Sequence, residues 1–547
     1  MNLQTNHLRV RIAHSLHKNE EEFVVRRRET VFQSLQKLGK HCSQDAVPNI
    51  ALLGSGGGQR AMVGLLGSLD QLDKAGLLDC ILYLSGVSGS TWCMASLYQE
   101  PDWSTKLETV KDKIIRRLSG PAVSWGDAFD KLKKYYYEKE HFSLTDVWAA
   151  MVVTTYVKEI DERTLSDQWD QLRKDPFPIY AIMDKQSKQE EAQDPWFEIS
   201  PLEAGYSLTG AFVKTSSFGS KFSKGSKKKD HPETDMLYLQ ALCGSVLADG
   251  DENKKFIWKK IKGEAAFGDS ILPKVDSHFI SYPSEEKGFQ VLMDLVDMNL
   301  DVLNGKDPSA LDQSIRSTLN ELSGGKRRVI LPTEKLNLAD KKAAELHMKQ
   351  YTEDVCKNLS LWDRFPVLGS ICICMTQWTW GRKYNFLHEM TDEAVPAALL
   401  EGETRDYMDA GVLLNSPYFS VLREERDIDL IISLDFSEAD PFKTVREAAE
   451  MCKKLNIPFP EVNIPSEDLK NPKDFYVFKG TNTPTVIHIP LFNVVNCGDD
   501  VETWKKNYAT LQGSYSAEMI TNLMEVAGKN ISNNREKLLE QIDAVVG

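Results

Sequence analysis

The chain of 547 residues lacks any run of about 18 apolar residues, the length a helix needs to cross a bilayer. Its opening, MNLQTNHLRVRIAHSLHKNEEE, lacks the apolar core of a secretory signal. The nine cysteines show no zinc-type spacing, and neither a metal nor another cofactor is expected. An odd cysteine count without an export signal points to a reducing, cytosolic compartment. Cys372 and Cys374 alternate along an apolar run in SICICM, which reads as a buried strand. The ending IDAVVG holds no cysteine and Met1 is followed by Asn2, so neither prenylation nor myristoylation is expected. The net charge of −14 argues against nucleic acid as a partner. It does not argue against a membrane surface, because a local basic patch acts alone within a Debye length of about 8 Å.

What is present is strand and glycine. Residues 18–40 carry acids at the start and apolar residues at helical spacing (Phe23, Val24, Val31, Phe32, Leu35, Leu38), which predicts an amphipathic helix. A packing helix is the reading adopted; a membrane-lying helix bearing Arg26, Arg27 and Arg28 is the alternative. Then VPNIALLGSGGGQRAMVGLLGSLDQL reads as strand, glycine turn, helix, and GLLDCILYLSGVSGSTWCMASLYQ repeats the order. Two such units predict a parallel α/β sheet, with ligands bound beyond the carboxyl ends of its strands. DIDLIISLDF (427–436) and PTVIHIPLF (484–492) read as further strands. The span from about 102 to 400 reads as a large inserted cap or lid. Within it, residues 285–303 predict a helix packed through Phe289, Leu292, Met293, Val296, Leu300 and Leu303. Lys221–Glu233, polar and lysine-rich, reads as a mobile loop.

GSGGGQR (54–60) fails as a dinucleotide fingerprint, because its third glycine is misplaced and no acid ends the next strand. It fails as a phosphate loop, because Arg60-Ala61 stand where Lys and Ser or Thr belong. As an oxyanion hole it works: consecutive glycines let backbone N–H groups converge at the positive end of a helix. GVSGS departs from the nucleophile elbow G-x-S-x-G only in Ser90, a small residue that still permits the sharp turn. Ser88 is then a candidate nucleophile. For its base, a histidine triad leaves only His488, inside a strand-like run where a satisfied core histidine is the commoner outcome. Asp409 in DYMDAGVLLNSPY is the other candidate, with small neighbours that allow close approach. Its bland reading is a turn aspartate.

GSGGGQRAM, SGVSGSTW and the distant DAG together resemble the cytosolic (group IV) phospholipase A2 family, relatives of the patatin-type acyl hydrolases. PWFEISPLEAGYSLTGAFV, WTWGRKYNFL, DLIISLDFSEADPFKTV and PTVIHIPLFN extend the resemblance over residues 20 to 497. It implies a patatin-like α/β core, a mostly parallel central sheet flanked by helices, with the inserted cap. The domains expected are a helical segment at 1–45 and one catalytic domain at 46–547. The resemblance implies Ser88 as nucleophile and Asp409 as its partner in a Ser-Asp dyad, with Gly57 and Gly58 as oxyanion donors. Arg60 would steady a substrate phosphate, and Arg426 matches a second important arginine.

The implied activity is phospholipase A2 and lysophospholipase hydrolysis through an acyl-serine, extending to acyl transfer by the same intermediate. About fifty residues precede the glycine turn, too few for the calcium-dependent lipid-docking domain of many members. The gamma type, which lacks that domain, and calcium independence are therefore expected. The expected partners are glycerophospholipid or lysophospholipid and a phospholipid surface, met from the cytoplasm by peripheral association with intracellular membranes. Lys221, Lys224, Lys227, Lys228 and Lys229 are the candidate docking residues. The rival class is a non-catalytic lipid- or nucleotide-binding protein using the glycine turn.

Overall fold

Residues Ile50–Gly54 are buried at every position, the pattern of a strand covered on both faces of a parallel sheet. The computed structural model describes residues 9–189, 194–245, 251–265, 283–324, 331–333, 336–359, 366–510 and 512–546. Two compact units divide the chain. One comprises Met1–Val123, Val152–Val246 and Arg382–Gly547, the other Ser124–Met151 and Leu247–Gly381.

The first unit holds the sheet. Its strands are β1 (Arg11–Ile12), β2 (Ile50–Gly54), β3 (Tyr83–Gly86), β4 (Phe177–Asp184), β5 (Trp196–Ile199), β6 (Glu203–Tyr206) and β7 (Ala211–Lys214). A hairpin follows, β8 (Lys221–Ser223) with β9 (Ser226–Lys229). Then come β10 (Arg382–Tyr384), β11 (Thr404–Asp409), β12 (Leu430–Asp435), β13 (Tyr476–Phe478) and β14 (Thr485–Pro490). Among the described residues the main sheet has the order β1-β7-β6-β5-β4-β3-β2-β12-β14-β13, and β11 joins β4 and β10. The centre, β4-β3-β2-β12-β14, is parallel; both flanks are antiparallel. Strands of residues 177–229 thus lie within the span read from sequence as cap, and β4 to β7 belong to the sheet.

Helix α1 (Lys18–Lys37) packs rather than standing free: Phe23, Arg27, Val31 and Leu35 are buried, and Arg27 Nε donates to Ile81 O at 3.1 Å. Helix α2 (Gly58–Lys74) connects β2 to β3, and α3 (Gly89–Leu97) leaves β3. Gly67 lets α2 approach another helix backbone to backbone: a Cβ there would sit 2.6 Å from Met524 O. Gly67→Ala is expected to cost about 1–3 kcal/mol by overpacking, readable as a lowered thermal midpoint.

The second unit is helical over its described residues, with helices at Trp125–Glu138, Asp251–Ala265, Pro283–Leu303, Ser309–Leu322, Lys341–Asn358 and Pro366–Gln377. Two expectations change here. Cys372 and Cys374 are buried as expected, but in a helix instead of a strand. Residues 283–303 are helical as expected, yet Phe289 and Met293 are half-buried, and the core face runs through Val291, Leu292, Leu295 and Val296.

Candidate active site

The register places the strand ends level. Gly54 pairs with Gly86 on one side and with Leu434 on the other, so β2, β3 and β12 finish together. Both glycine turns therefore open at the same edge of the sheet. Beyond Gly86 the backbone turns at Ser88, which has φ +51° and ψ −123° and is 3% exposed. A non-glycine residue in that region is strained by about 1–3 kcal/mol, which surrounding structure must hold. The turn is the strained strand-to-helix elbow that lifts a serine side chain out of a sheet.

Ser90, the residue that breaks the glycine pattern, holds the elbow. Its Oγ donates to Ser55 O at 2.6 Å, linking the two glycine turns, and Ser55 Oγ in turn accepts from Phe436 N at 2.7 Å. Gly54 makes room: a Cβ there would lie 2.6 Å from Ser90 Oγ. At Gly89 a Cβ would lie 1.8 Å from Gly58 O, so the elbow and the Gly57–Gly58 turn are in backbone contact. Gly57 has φ +156° and Gly58 φ +57°. A Cβ on Gly57 would lie 2.7 Å from Phe436 O. The first amides of α2 have no intrahelical acceptor and sit at the positive end of the helix.

Asp409 reaches this edge from an antiparallel strand. β11 pairs with β4 beyond the end of β3, on the same side of β4: Tyr180 faces Gly86, and Ile182 faces Asp409. Asp409 thus lies two residues past the level of Gly86, about 7 Å on at strand rise, and Ser88 is also two residues past Gly86. The carboxylate is 0% exposed, its Oδ1 accepts from Gly411 N at 2.8 Å, and its own N donates to Ser245 Oγ at 3.2 Å. A Cβ on Gly411 would lie 3.0 Å from Asp409 Oδ1 and 3.6 Å from Val87, the residue before Ser88.

His488 lies elsewhere. It is in β14, buried, with Nε2 2.7 Å from Pro441 O, and burial lowers its pKa. Three ladder spacings separate β14 from β3, about 14 Å.

Arg60 and Arg426, the expected substrate-binding arginines, both have buried guanidinium groups met by protein acceptors. Arg60 is 1% exposed; its Nε donates to Phe436 O at 2.8 Å and Nη1 to Tyr508 O at 2.7 Å, with Glu438 3.8 Å away. Burial lowers its pKa. Its neighbour Gln59 donates to Gly513 O at 2.7 Å and accepts from Tyr515 N at 3.1 Å. Together the two side chains hold Tyr508, Gly513 and Tyr515 against the Gly57–Gly58 turn. Arg426 is buried between Glu20 (2.9 Å) and Glu198, with its guanidinium over the Tyr83 ring. Tyr83 begins β3 whereas Ser88 follows its end, about 16 Å along the strand direction. Burial alone would raise the pKa of Glu20, but the Arg426 guanidinium more than offsets this and holds it below the usual value. Glu20→Gln is expected to destabilise the fold by about 3 kcal/mol by breaking a buried pair, seen as a lower thermal midpoint with the Ser88 chemistry of the remaining folded protein unchanged.

The lysine run is a hairpin, not a loop without structure. Lys224 and Gly225 both have positive φ (+52° and +75°), the two-residue turn that matches strand twist. Lys221 pairs with Glu403 and Lys227 with Asp230 at 2.6 Å; Lys224, Lys228 and Lys229 are exposed.

Asn415 was not singled out by motif. Its N–H2 donates to Gly56 O at 3.3 Å and Ser437 Oγ at 2.9 Å, and its backbone O accepts from Gly56 N at 3.0 Å. It stands six residues after Asp409, a spacing without a signature.

A strained elbow serine, a glycine turn touching it and a buried carboxylate at the same edge of the parallel centre of a mixed sheet make up a patatin-like α/β hydrolase arrangement. Residues 50–246 match the lysophospholipase catalytic domain. The chain is 34% identical to mouse cytosolic phospholipase A2 gamma over 97% of its length and 92% of the relative's. It is 34% identical to the human gamma protein, covering 98% and 96%. The structure of human GIVD cytosolic phospholipase A2 superposes with a TM-score of 0.66 at 22% identity, covering 98% of this chain and 66% of that one. The chain belongs to the cytosolic phospholipase A2 family.

Proposed function

We propose that the protein hydrolyses the fatty-acyl ester of glycerophospholipids, as a phospholipase A2 with lysophospholipase activity, through Ser88 and Asp409. The observation that carries this reading is the convergence of three turns at one edge: a Cβ on Gly89 would lie 1.8 Å from Gly58 O, one on Gly56 3.1 Å from Ser88 Cβ, and one on Gly411 3.6 Å from a Val87 methyl. Ser88 Oγ attacks the ester carbonyl carbon while the Asp409 carboxylate takes its proton. The N–H groups of Gly57 and Gly58 hold the developing oxyanion; each such donor contributes on the order of 3 kcal/mol to the transition state. The intermediate collapses as Asp409 passes that proton to the leaving glycerol oxygen, the lysophospholipid departs, and water then cleaves acyl-Ser88. Another alcohol in place of water gives acyl transfer. Arg60 serves the reaction by holding the turn, not by meeting the phosphate.

The cheap test is labelling with a serine-directed fluorophosphonate, followed by peptide mass analysis. Modification at Ser88 and loss of hydrolysis together are expected; a protein that binds lipid without labelling belongs to the rival, non-catalytic class. In this reading Ser88, Asp409 and the glycine amides supply nucleophile, base and oxyanion donors. Hydrolysis is expected to continue in a calcium chelator, and its loss on chelation would sink the calcium-independent reading.

Docking is peripheral in this reading, and no described helix is long and apolar enough to cross a membrane. Each lysine near an anionic surface contributes about 1 kcal/mol. Lys224, Lys228 and Lys229 changed together to Gln are expected to weaken sedimentation with phosphatidylserine vesicles at low salt at least tenfold. Unchanged binding removes the hairpin from the docking surface.

A further inference from the structure

A serine and a water present different problems to one base. Ser88 is tethered, and the elbow aims its Oγ. The water that must attack acyl-Ser88 is not tethered. A single acceptor fixes one of its protons and leaves it free to swing, so a second acceptor is needed to orient its lone pair at the carbonyl carbon. Asn415 has an acceptor close to the Asp409 loop.

The orientation of its amide follows from its partners. Gly56 O can only accept, so the group 3.3 Å from it is the N–H2, and Oδ1 faces the other way. That other side is the Asp409 loop. A Cβ on Gly411 would lie 2.9 Å from Asn415 Oδ1 and 3.0 Å from Asp409 Oδ1, so these two oxygens are less than ~6 Å apart, within the span that one water reaches with two hydrogen bonds of ~2.8 Å. A Cβ on Gly56 would lie 2.3 Å from the same amide oxygen and 3.1 Å from Ser88 Cβ, which brings the oxygen to the nucleophile as well. Asn415 is half-buried, neither sealed in the core nor free in solvent.

We propose that Asn415 is a catalytic residue of deacylation: its Oδ1 and the Asp409 carboxylate together hold the water that hydrolyses acyl-Ser88. The water oxygen forms the new bond to the acyl carbon while Asp409 takes the proton. The tetrahedral intermediate collapses with cleavage of the carbon–Oγ bond. Asp409 returns the proton to Ser88 Oγ, and the fatty acid departs. This rests on the assignment of Ser88 and Asp409 made above, and it makes Asn415 matter in the second half-reaction more than in the first.

The test is pre-steady-state kinetics of Asn415→Ala on phospholipid vesicles. The expected result is a burst of lysophospholipid equal to the enzyme concentration, followed by turnover slowed on the order of 10²-fold. The acylated protein should be visible by intact mass, while fluorophosphonate labels Ser88 at the wild-type rate. If the burst and the labelling slow in step with turnover, Asn415 only supports the oxyanion turn and the proposal fails. Turnover at the wild-type rate overturns it too. Should Asn415→Ala prove unfolded, Asn415→Gln, which keeps the amide but displaces its oxygen by one methylene, is expected to show the same burst, and its absence there counts equally against the proposal. Failure of wild-type protein to label at Ser88 would instead bring down the Ser-Asp reading itself.

Discussion

Ser88→Ala and Asp409→Asn are each expected to lower phospholipid hydrolysis by a factor of 10⁴ or more, on the order seen when one member of a nucleophile–base unit is removed. Ser88→Ala deletes the Oγ that the proposed mechanism acylates, at a position that is 3% exposed and changes little in volume. Asp409→Asn is nearly isosteric and can still accept from Gly411 N, so its loss of activity isolates proton acceptance from packing. Because the two groups act in one step, the double variant is expected to be no worse than Ser88→Ala alone. Fatty-acid release, with a thermal melt to show that each variant is folded, checks all three. Asp409→Asn retaining more than about a hundredth of wild-type activity would assign the base elsewhere.

Gly89→Ala is expected to cost 10²- to 10³-fold in kcat, the range for losing an oxyanion donor. Its Cβ would fall 1.8 Å from Gly58 O and 2.8 Å from Gly58 Cα, so the elbow and the oxyanion turn must separate. Gly58→Ala provides the contrast. Among the described residues a Cβ there meets only Thr510, at 3.6 Å, and the disadvantage is the φ of +57°, about 1–2 kcal/mol of backbone strain. Gly89→Ala should therefore be the more damaging of the two. Single-turnover rates on a soluble ester substrate check this; equal and mild effects would mean that the two turns are not mechanically joined.

The strands and both glycine turns were legible because each is a local pattern. NIALLG, ILYLSG, DLIISLD and TVIHIP are apolar runs bounded by turn residues, and the observed strands start and stop within a few residues of them. Ser90 was legible as a departure from the elbow pattern, but its bond to Ser55 O was not, since that carbonyl lies on another strand. The lysine run looked like a loop because its composition is polar. The pair Lys224-Gly225 was the one cue to a hairpin, and lysine at positive φ is too uncommon to be inferred from composition.

Taken alone, the sequence determined which chemistry was on hand: a serine in a sharp turn, a run of glycines at a helix start, and an aspartate flanked by small residues. These follow from short-range sterics, in which glycine and serine are selected by the backbone they must adopt. Only the tertiary structure decided where each charged side chain is used. Arg60 carries the same sequence cue whether it faces a phosphate or a carbonyl; it is Phe436 and Tyr508, hundreds of residues away, that enclose it. Arg426 is likewise claimed by Glu20 and Glu198. A guanidinium removed from water must be met by acceptors, and those acceptors come from segments that meet only in the folded chain.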